Sequence, residues 1–272
     1  MSNSHAARDL DTSRPHSARM YDYYLGGKDH FEVDKQAAET VATVYPGIFT
    51  CARENRAFMH RATQVLAMEH GIRQWLDIGT GIPTEPNLHQ VAQAAVPEAR
   101  VVYADNDPLV LKYAERLMRS TPQGRTTYIE ADINRPEDLL DAPELAAVLD
   151  LGRPVALSMN ALMHFVTDAQ DPYGIVARLL EALPSGSALA LSHCTPDFDP
   201  PTWEKVTAIY TNAGTPVQFR TQKDVARFFD GLDLLDPGIT VGHRWRPAAN
   251  NVAPRQFTDA EVSLWVGVGI KP

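Results

Sequence analysis

The sequence predicts an α/β fold in which helices flank a mostly parallel sheet. After residue 70, five short apolar runs of strand length alternate with segments whose apolar residues recur at helical spacing. This alternation is typical of βαβ units, whose parallel strands place ligands at their carboxyl ends. The chain then closes with two extended runs and no predicted helix between them, which indicates an antiparallel pair.

The elements follow one another in a regular order. The predicted strands are 75–78, 101–104, 127–131, 155–159 and 188–192, followed by the antiparallel pair 239–245 and 262–269. Two helix starts are predicted at Asp107 and Asp171, because aspartate caps a helix and the proline that follows each one suits the first helical position. Thr221, with an aspartate three residues on, predicts a further helix start.

The N-terminal quarter of the chain differs from the rest in charge. Residues 1–70 hold 8 basic and 9 acidic residues, whereas residues 71–272 hold 17 and 25. A polar, disordered tail is predicted to about Arg14, and a helix over 52–70 is predicted to end at Gly71, a residue suited to the left-handed conformation. We therefore expect an N-terminal helical segment followed by a larger α/β domain.

Composition excludes several classes of protein. The chain has 272 residues, a formal net charge of −9 and a pI near 5.4. This acidity disfavours a nucleic-acid partner, since phosphate-backbone binding needs a basic surface. The sequence has neither a signal-peptide core nor an apolar run long enough for a membrane span, so we expect a cytoplasmic protein. Cys51 and Cys194 are expected to be free thiols, and the scattered histidines suggest no metal site.

The stretch that follows the first predicted strand is the most informative part of the sequence. Gly79 and Gly81 stand there, and glycines let the backbone turn tightly and approach a ligand closely. A dinucleotide-binding fingerprint would need a third glycine at position 84, but Thr84 stands there, behind Pro83. The loop therefore favours a ligand that has no pyrophosphate.

Three carboxylates stand at the ends of the first three predicted strands. Asp77 can face an ammonium group, Asp105 can accept hydrogen bonds from ribose hydroxyls, and Asp132 can accept from an adenine amino group. Three acids at successive strand ends suit a cationic adenosine ligand, and S-adenosylmethionine, with its sulfonium and ammonium, has this chemistry. The alternative is that the glycines only turn the chain and the acids only cap helices. At Asp107 that alternative is preferred, because proline follows it.

Together these features resemble the class I S-adenosylmethionine-dependent methyltransferases. The chain is most similar to the actinomycete S-adenosyl methyltransferase domain family of unknown substrate. The similar stretches are 19–29, 53–58, 76–84, 103–108 and 245–247. The resemblance implies a Rossmann-like fold, with a seven-stranded, mostly parallel sheet, an antiparallel last strand and an N-terminal helical lid. Residues 1–70 would form the lid and residues 71–272 the cofactor-binding domain. The sequence departs from the superfamily loop at Pro83, where a small residue is usual.

The strand ends and the resemblance together predict a set of cofactor-binding residues. They are Asp77, Gly79, Gly81, Asp105, Asn106, Asp132, Ile133, Asn160, Tyr23, Arg53 and Arg56. Tyr23 belongs to a tyrosine-rich stretch that can stack on adenine or cover a sulfonium, or can simply dock the segment onto the core. Arg53 and Arg56 lie about one helical turn apart, and one of them can bind the cofactor carboxylate; the alternative is an ordinary surface arginine.

The segment after the fourth strand is the place to look for catalysis, because in related folds it lies beside the methyl group. It lacks the Asn/Asp-Pro-Pro-Tyr/Phe motif of many nucleic-acid amino methyltransferases. His164 is the candidate general base, since imidazole titrates at about pH 6.5, although a wall histidine is the alternative. His193 is a weaker candidate. A sulfonium is already an activated methyl donor, so neither a metal nor a covalent nucleophile is expected.

The sequence thus predicts an S-adenosylmethionine-dependent methyltransferase that acts on a small-molecule acceptor. One alternative is a catalytically silent S-adenosylmethionine-binding module with a regulatory role. A less favoured alternative is an NAD-binding oxidoreductase, and the acidic charge disfavours a nucleic-acid methyltransferase. The acceptor atom, the substrate and the oligomeric state are left open by the sequence.

Overall fold

An eight-stranded sheet forms the centre of the protein, which a computed structural model describes over residues 12–117, 119–247 and 257–272. The strands are β1 (Gln74–Ile78), β2 (Arg100–Asp105), β3 (Arg125–Glu130), β4 (Ala156–Asn160), β5 (Ala188–Cys194), β6 (Asp233–Leu234), β7 (Thr240–Val241) and β8 (Leu264–Ile270). Their order across the sheet is β3-β2-β1-β4-β5-β8-β6, and β7 also pairs with β8. The first five strands are parallel and β8 is antiparallel to β5, which confirms the predicted fold class.

In the described part of the chain, three helices precede the first strand, and the other helices lie in the connections between strands. The helices are α1 (Ser17–Tyr24), α2 (Glu32–Val44), α3 (Ile48–Met68), α4 (Leu88–Ala95), α5 (Pro108–Leu117), α6 (Pro136–Leu140), α7 (Pro143–Val148), α8 (Pro172–Glu181), α9 (Pro200–Asn212), α10 (Gln222–Ala226) and α11 (Asp259–Val262). The three predicted helix starts are confirmed. The side chains of Asp107, Asp171 and Thr221 each accept a backbone N–H from the first turn of α5, α8 and α10.

The first five strands begin and end within two residues of the predicted bounds, but the last part of the sheet differs. The predicted run 239–245 pairs with β8 only through Thr240 and Val241, and a 3₁₀ turn follows directly. The expectation that no helix precedes the last strand is wrong. Thr258 caps α11 by accepting the N–H of Glu261, a local signal that the apolar pattern did not include. Since β6 and β7 share one edge, the sheet has eight strands rather than seven.

The three N-terminal helices share a hydrophobic core with one face of the sheet. Met20 of α1, Phe58 of α3 and Trp75 of β1 belong to the same buried cluster. The predicted helix over 52–70 is α3, which begins four residues earlier, and Gly71 has the expected positive φ of 67°. The division of the chain at residue 70 stays a prediction, and most of the predicted disordered tail lies outside the described residues.

The two cysteines are closer together in the fold than their sequence separation suggested. Both are free thiols and both are buried, with the Sγ atoms of Cys51 and Cys194 lying 3.9 Å apart. Within the described ranges, no group of histidine, cysteine and acidic side chains has an arrangement that could hold a metal ion. No helix in the same part of the chain is both long and apolar enough to cross a membrane.

Candidate functional site

A cavity of about 300 Å³ lies at the carboxyl ends of the parallel strands, where α1, α3 and α9 close over it. Its lining divides into two chemically different parts. We define the polar half as the side made of Asp77, Gly79, Gly81, Asp105, Asn106, Asn134, Asn160 and Arg56. We define the aromatic half as the side made of Tyr24, His164, Phe165, Trp203, Tyr210 and Phe219. Most of the predicted cofactor-binding residues belong to the polar half.

The glycine loop after β1 forms the floor of the polar half. Gly79 and Gly81 have φ values of 71° and 65°, in the region that favours glycine. A Cβ atom at Gly79 would lie 2.7 Å from the side chain of Leu162, so a larger residue there would also force that side chain to move. Helix α4 begins only at Leu88, after six further residues. The loop therefore does not run directly into a helix, which agrees with the missing third glycine.

Asp105 fastens this loop to the end of β2. One carboxylate oxygen accepts the N–H of Gly81 at 2.7 Å, and the other accepts the N–H of Asp107 at 3.0 Å. The carboxyl group is buried, and burial raises its pKa even though these hydrogen bonds oppose the shift. Each oxygen still has a second lone pair, so Asp105 can hold the loop and accept from a ligand hydroxyl as well.

Asp77 places a half-buried carboxyl group at the end of β1, where it lines the cavity. Burial raises its pKa to about 6, although the nearby Ser158 hydroxyl and the Arg56 guanidinium oppose that shift. A cationic group beside Asp77 would favour the ionised form and compensate for the lost water. The site therefore suits a ligand with an ammonium or sulfonium group better than a neutral one.

The end of β3 contributes to the cavity through different residues than the acid predicted for it. Ile133 and Asn134 line the cavity, as does Asn106 after β2. Asp132 is not among the lining residues, and its Oδ1 atom accepts from the backbone N–H and the side-chain amide of Asn134, at 3.0 and 2.8 Å. A cofactor contact by Asp132 stays a prediction that this geometry does not favour.

Helix α1 presents Tyr21 and Tyr24 to the cavity rather than Tyr23. The hydroxyl of Tyr23 donates to Glu39 at 3.0 Å, on the outside of the helix. Residues three apart share a helical face, so the spacing of Tyr21 and Tyr24 was the signal that the sequence interpretation missed. Arg53 likewise lies away from the cavity, where it is exposed and donates to Thr50 at 3.3 Å.

Arg56 of α3 lines the polar half and holds the extended loop that follows Gly81. Its guanidinium donates to the carbonyl oxygen of Thr84 and, at 2.7 Å, to that of Pro86. These two bonds tie α3 to the extended segment that separates the glycine loop from α4. Arg56 is thus a loop clamp, and its charge lowers the pKa of Asp77 within the same half.

A chain of hydrogen bonds joins α1 to the strand ends. The Asn55 amide donates to the Tyr21 hydroxyl at 2.7 Å, and that hydroxyl donates to the carbonyl of Ala52 at 3.0 Å. The Ser192 hydroxyl donates to Asn55 and accepts the N–H of Ala161 at 2.8 Å. The chain therefore links α1, α3, β5 and the turn after β4, which the sequence did not predict.

Buried charges hold α1 against the sheet edge. Arg19, which is 6% exposed, lies between the carboxylates of Asp34 and Asp107, at 3.6 and 3.7 Å. The His16 ring lies 3.2 Å from Asp107 as well. Asp107, interpreted from the sequence as a helix cap only, is therefore both the cap of α5 and the anchor of the helix that covers the cavity.

Asn160 of the polar half and His164 of the aromatic half are four residues apart in the chain, at and just after the end of β4. The Asn160 amide donates to Ser158 at 2.7 Å, while its Oδ1 atom is buried with no hydrogen-bond partner among the described residues. The Nδ1 atom of His164 is also buried without a partner there. Burial, with smaller effects of His193 and Arg220, lowers the pKa of His164 well below its ordinary value, so the imidazole is neutral.

His193 has a structural role. Its Nδ1–H donates to the Cys194 carbonyl at 2.7 Å, and its Nε2 atom accepts from Arg220 at 3.2 Å. Both ring nitrogens are therefore occupied, and burial lowers the pKa of His193 to about 3. Unlike His164, this histidine does not line the cavity.

Arg220 is the residue that fixes the wall of the aromatic half, and no sequence motif indicated it. The guanidinium is 2% exposed and donates to the carbonyls of Met163 and Val166, each at 2.9 Å. It also pairs with Asp168 at 2.7 Å. These bonds hold the segment that contains His164 in one conformation.

Comparison with known proteins identifies the family. A family model described as S-adenosyl methyltransferase matches residues 3–272. The crystal structure of a DUF574 family protein from Streptomyces avermitilis is 49% identical with a TM-score of 0.93, and the alignment covers 97% of this chain and 100% of that chain. A protein from Thermobifida fusca assigned as a methyltransferase is 35% identical with a TM-score of 0.87, covering 96% and 97% of the two chains.

A more distant similarity concerns the fold alone. The plantazolicin methyltransferase BpumL, solved in complex with S-adenosylhomocysteine, is 14% identical with a TM-score of 0.51, and the alignment covers 94% of this chain and 95% of that chain. No curated protein matches the sequence. The predicted class I methyltransferase fold and the family resemblance are both confirmed by these comparisons.

Proposed function

This chain belongs to the S-adenosyl methyltransferase family, whose cofactor is S-adenosylmethionine, and we propose that it methylates a small-molecule acceptor. The observation that supports this most is the cavity itself, with acids and glycines at the strand ends and an aromatic half beside them. Helices of the same chain close over the cavity, which suits an acceptor small enough to enter it. The net charge of −9 disfavours a nucleic-acid acceptor.

The polar half has the residues to hold the cofactor. We propose that Asp77 faces its ammonium group and that Asp105, held against the glycine loop, accepts from the ribose. Gly79 and Gly81 give the ligand close access to the backbone. The remaining proposed contacts around the ligand are Asn106, Ile133, Asn160 and Arg56.

The chemistry that the cofactor supplies when bound is an activated methyl group on a sulfonium. The chain's own task is then to hold the acceptor in line with that methyl group and to receive a proton where the acceptor loses one. His164 is neutral and lines the cavity, so its imidazole can accept a proton. The same burial opposes a lasting positive charge on the ring, which suits an acceptor that gives up its proton readily.

Two measurements test the proposal in sequence. Isothermal titration with S-adenosylmethionine and with NAD should give binding of the first only. Incubation with methyl-labelled cofactor and a fractionated metabolite extract should then label a low-molecular-mass product. Asp105→Ala should abolish the label, while His164→Gln should lower turnover with cofactor affinity unchanged. Cofactor binding without transfer to any fraction would favour the silent regulatory module, and binding of NAD alone would contradict the proposal.

A further inference from the structure

The aromatic half of the cavity forms a continuous wall of rings. The ring centroids of Trp203 and Phe219 lie 4.5 Å apart, and those of Phe219 and His164 lie 5.7 Å apart. Phe165 lies 4.5 Å from His164 and 6.0 Å from Tyr210 on the other side. Phe165 and Phe219 are only half-buried although they line the cavity, so ring surface is left for a ligand to cover.

Charge is distributed unevenly around the cavity. The acidic and basic side chains that line it are His16, Arg56, Asp77 and Asp105, which belong to the polar half or to the start of α1. In the aromatic half, the described lining contains no acid, lysine or arginine, and His164 is neutral. An ionic group placed against this wall would lose hydration without meeting a charged side chain in its described lining, which is unfavourable.

The wall is held in place before any ligand arrives. Arg220, directly after Phe219 in the chain, donates to the backbone carbonyls of Met163 and Val166, on either side of Phe165. The N–H of Gln218 donates to the His164 carbonyl at 2.8 Å, which ties the two segments together. Rings that are already positioned cost little further ordering when a ligand packs against them, so the shape of the wall selects the ligand.

From these observations we propose that the methyl acceptor is a neutral, planar aromatic molecule that packs against Phe165 and Phe219. The inference rests on the proposed function, since the cofactor must fill the polar half for the acceptor to be received beside it. Aromatic rings prefer offset-stacked or edge-to-face neighbours, and such pairs add binding free energy beyond the area that they bury. A saturated molecule of the same size would gain only the burial of its surface.

The test uses the full chain saturated with S-adenosylhomocysteine and three bicyclic probes of similar size. 2-Naphthol is neutral and planar, 2-naphthoate is planar but anionic, and 2-decalol is neutral but saturated. Isothermal titration should show that 2-naphthol binds, that 2-naphthoate binds about thirtyfold more weakly or not at all, and that 2-decalol binds roughly three- to tenfold more weakly.

Matched variants assign the binding to the wall. Phe165→Leu and Phe219→Leu remove a ring but keep most of the volume, and each should weaken 2-naphthol roughly three- to tenfold. Phe198→Leu is the control, because Phe198 is equally half-buried but packs against Trp265, outside the cavity. Affinity for S-adenosylhomocysteine should be unchanged in all three variants, which shows that they fold and that the polar half is intact.

The outcomes separate the two proposals. Failure of S-adenosylhomocysteine to bind the unaltered protein would contradict the proposed function. With that ligand bound, absent binding of 2-naphthol, equal or tighter binding of 2-naphthoate or 2-decalol, or unaltered 2-naphthol affinity in both wall variants would overturn the aromatic assignment. In each of those cases the methyltransferase proposal would stand.

Discussion

The polar and aromatic halves of the cavity are assembled in opposite ways. The polar half is built mainly from residues at or just after the carboxyl ends of β1, β2, β3 and β4, so its acids and glycines appear at regular places in the sequence. The aromatic half takes Tyr24 from α1, Phe165 from a turn, Trp203 from α9 and Phe219 from a loop. Lining residues at strand ends can be predicted from the sequence, whereas lining residues that come together from distant segments cannot.

The largest effect on the polar half is expected from removing Asp105, the acid that holds the glycine loop against the end of β2. Asp105→Ala should weaken S-adenosylmethionine binding by at least about 100-fold, because a ligand contact and the acceptor for two backbone N–H groups disappear together. The unsatisfied N–H groups should also lower the free energy of unfolding by about 1–3 kcal/mol. Titration calorimetry and urea unfolding measure the two effects.

Asp132→Ala is the matched control for that experiment. This acid follows the next strand of the sheet, but it is not among the residues that line the cavity, and one of its oxygens accepts from Asn134 in its own turn. We expect cofactor affinity to stay within about threefold of the unaltered protein. A loss as large as that of Asp105→Ala would restore Asp132 to the cofactor site, as the sequence predicted.

The second prediction concerns the anchor of the aromatic half. Arg220→Leu should lower the free energy of unfolding by about 2–4 kcal/mol, because the carbonyls of Met163 and Val166 lose their donor. Binding of 2-naphthol should fall about tenfold while cofactor affinity changes little, since the polar half does not depend on this side chain.

Arg227→Leu is the control, and it tests whether the loss of another nearby arginine has the same effect as the loss of Arg220. The Arg227 guanidinium lies 3.8 Å from the ring centroid of Tyr173, a ring that Arg220 also faces, but Arg227 is exposed. Its replacement should change the free energy of unfolding by less than about 0.5 kcal/mol. If both variants impaired the cofactor and the aromatic probe equally, the division of the cavity into two halves would be wrong.

The third prediction concerns the ionisation of Asp77, which distinguishes the polar half from the aromatic half. With a pKa of about 6, Asp77 is mostly protonated at pH 5 and mostly ionised at pH 7. Only about a tenth of the molecules have the ionised carboxylate at pH 5, so cofactor binding should be about tenfold weaker there than at pH 7. Asp77→Asn should bind weakly and with little dependence on pH across this range, as calorimetry at several pH values would show.

The same group gives a linked effect on stability. Its pKa in the folded protein lies above the value of about 3.9 in an unfolded chain, so the folded state binds more protons between these values. This group alone therefore makes the free protein less stable as the pH rises from about 4 to about 6. Added S-adenosylmethionine should oppose that loss, whereas binding of 2-naphthol should show no such dependence.

The smallest expected effect concerns α1, which contributes Tyr21 and Tyr24 to the lining of the cavity. Tyr21→Phe removes the hydroxyl that accepts from Asn55 and donates to Ala52, and should cost about 1 kcal/mol of unfolding free energy and roughly threefold in cofactor affinity. Tyr23→Phe removes a hydroxyl that makes an exposed hydrogen bond to Glu39, so it should change neither. A larger effect of Tyr23→Phe would revive the predicted cofactor contact of Tyr23.

Some of the predicted cofactor-binding residues line the cavity and others do not, and the difference has a physical reason. Gly79, Gly81 and Asp105 line the cavity because a parallel sheet gathers the carboxyl ends of its strands at one edge. Tyr23 and Arg53 were predicted to lie there only because their side chains were chemically suitable. The rotation of α1 and α3 turns both away, and helical rotation depends on packing against the sheet.

The α/β fold, the family and the strand ends that carry the acids and glycines of the cavity could all be predicted from the sequence. They follow from local periodicity and from residues at strand ends. Only the tertiary structure decided that Arg220 holds the aromatic half and that Asn55 links α1 to β5. Both side chains make bonds across more than 50 positions in the chain, and no local pattern specifies which distant carbonyl or hydroxyl a buried donor will meet.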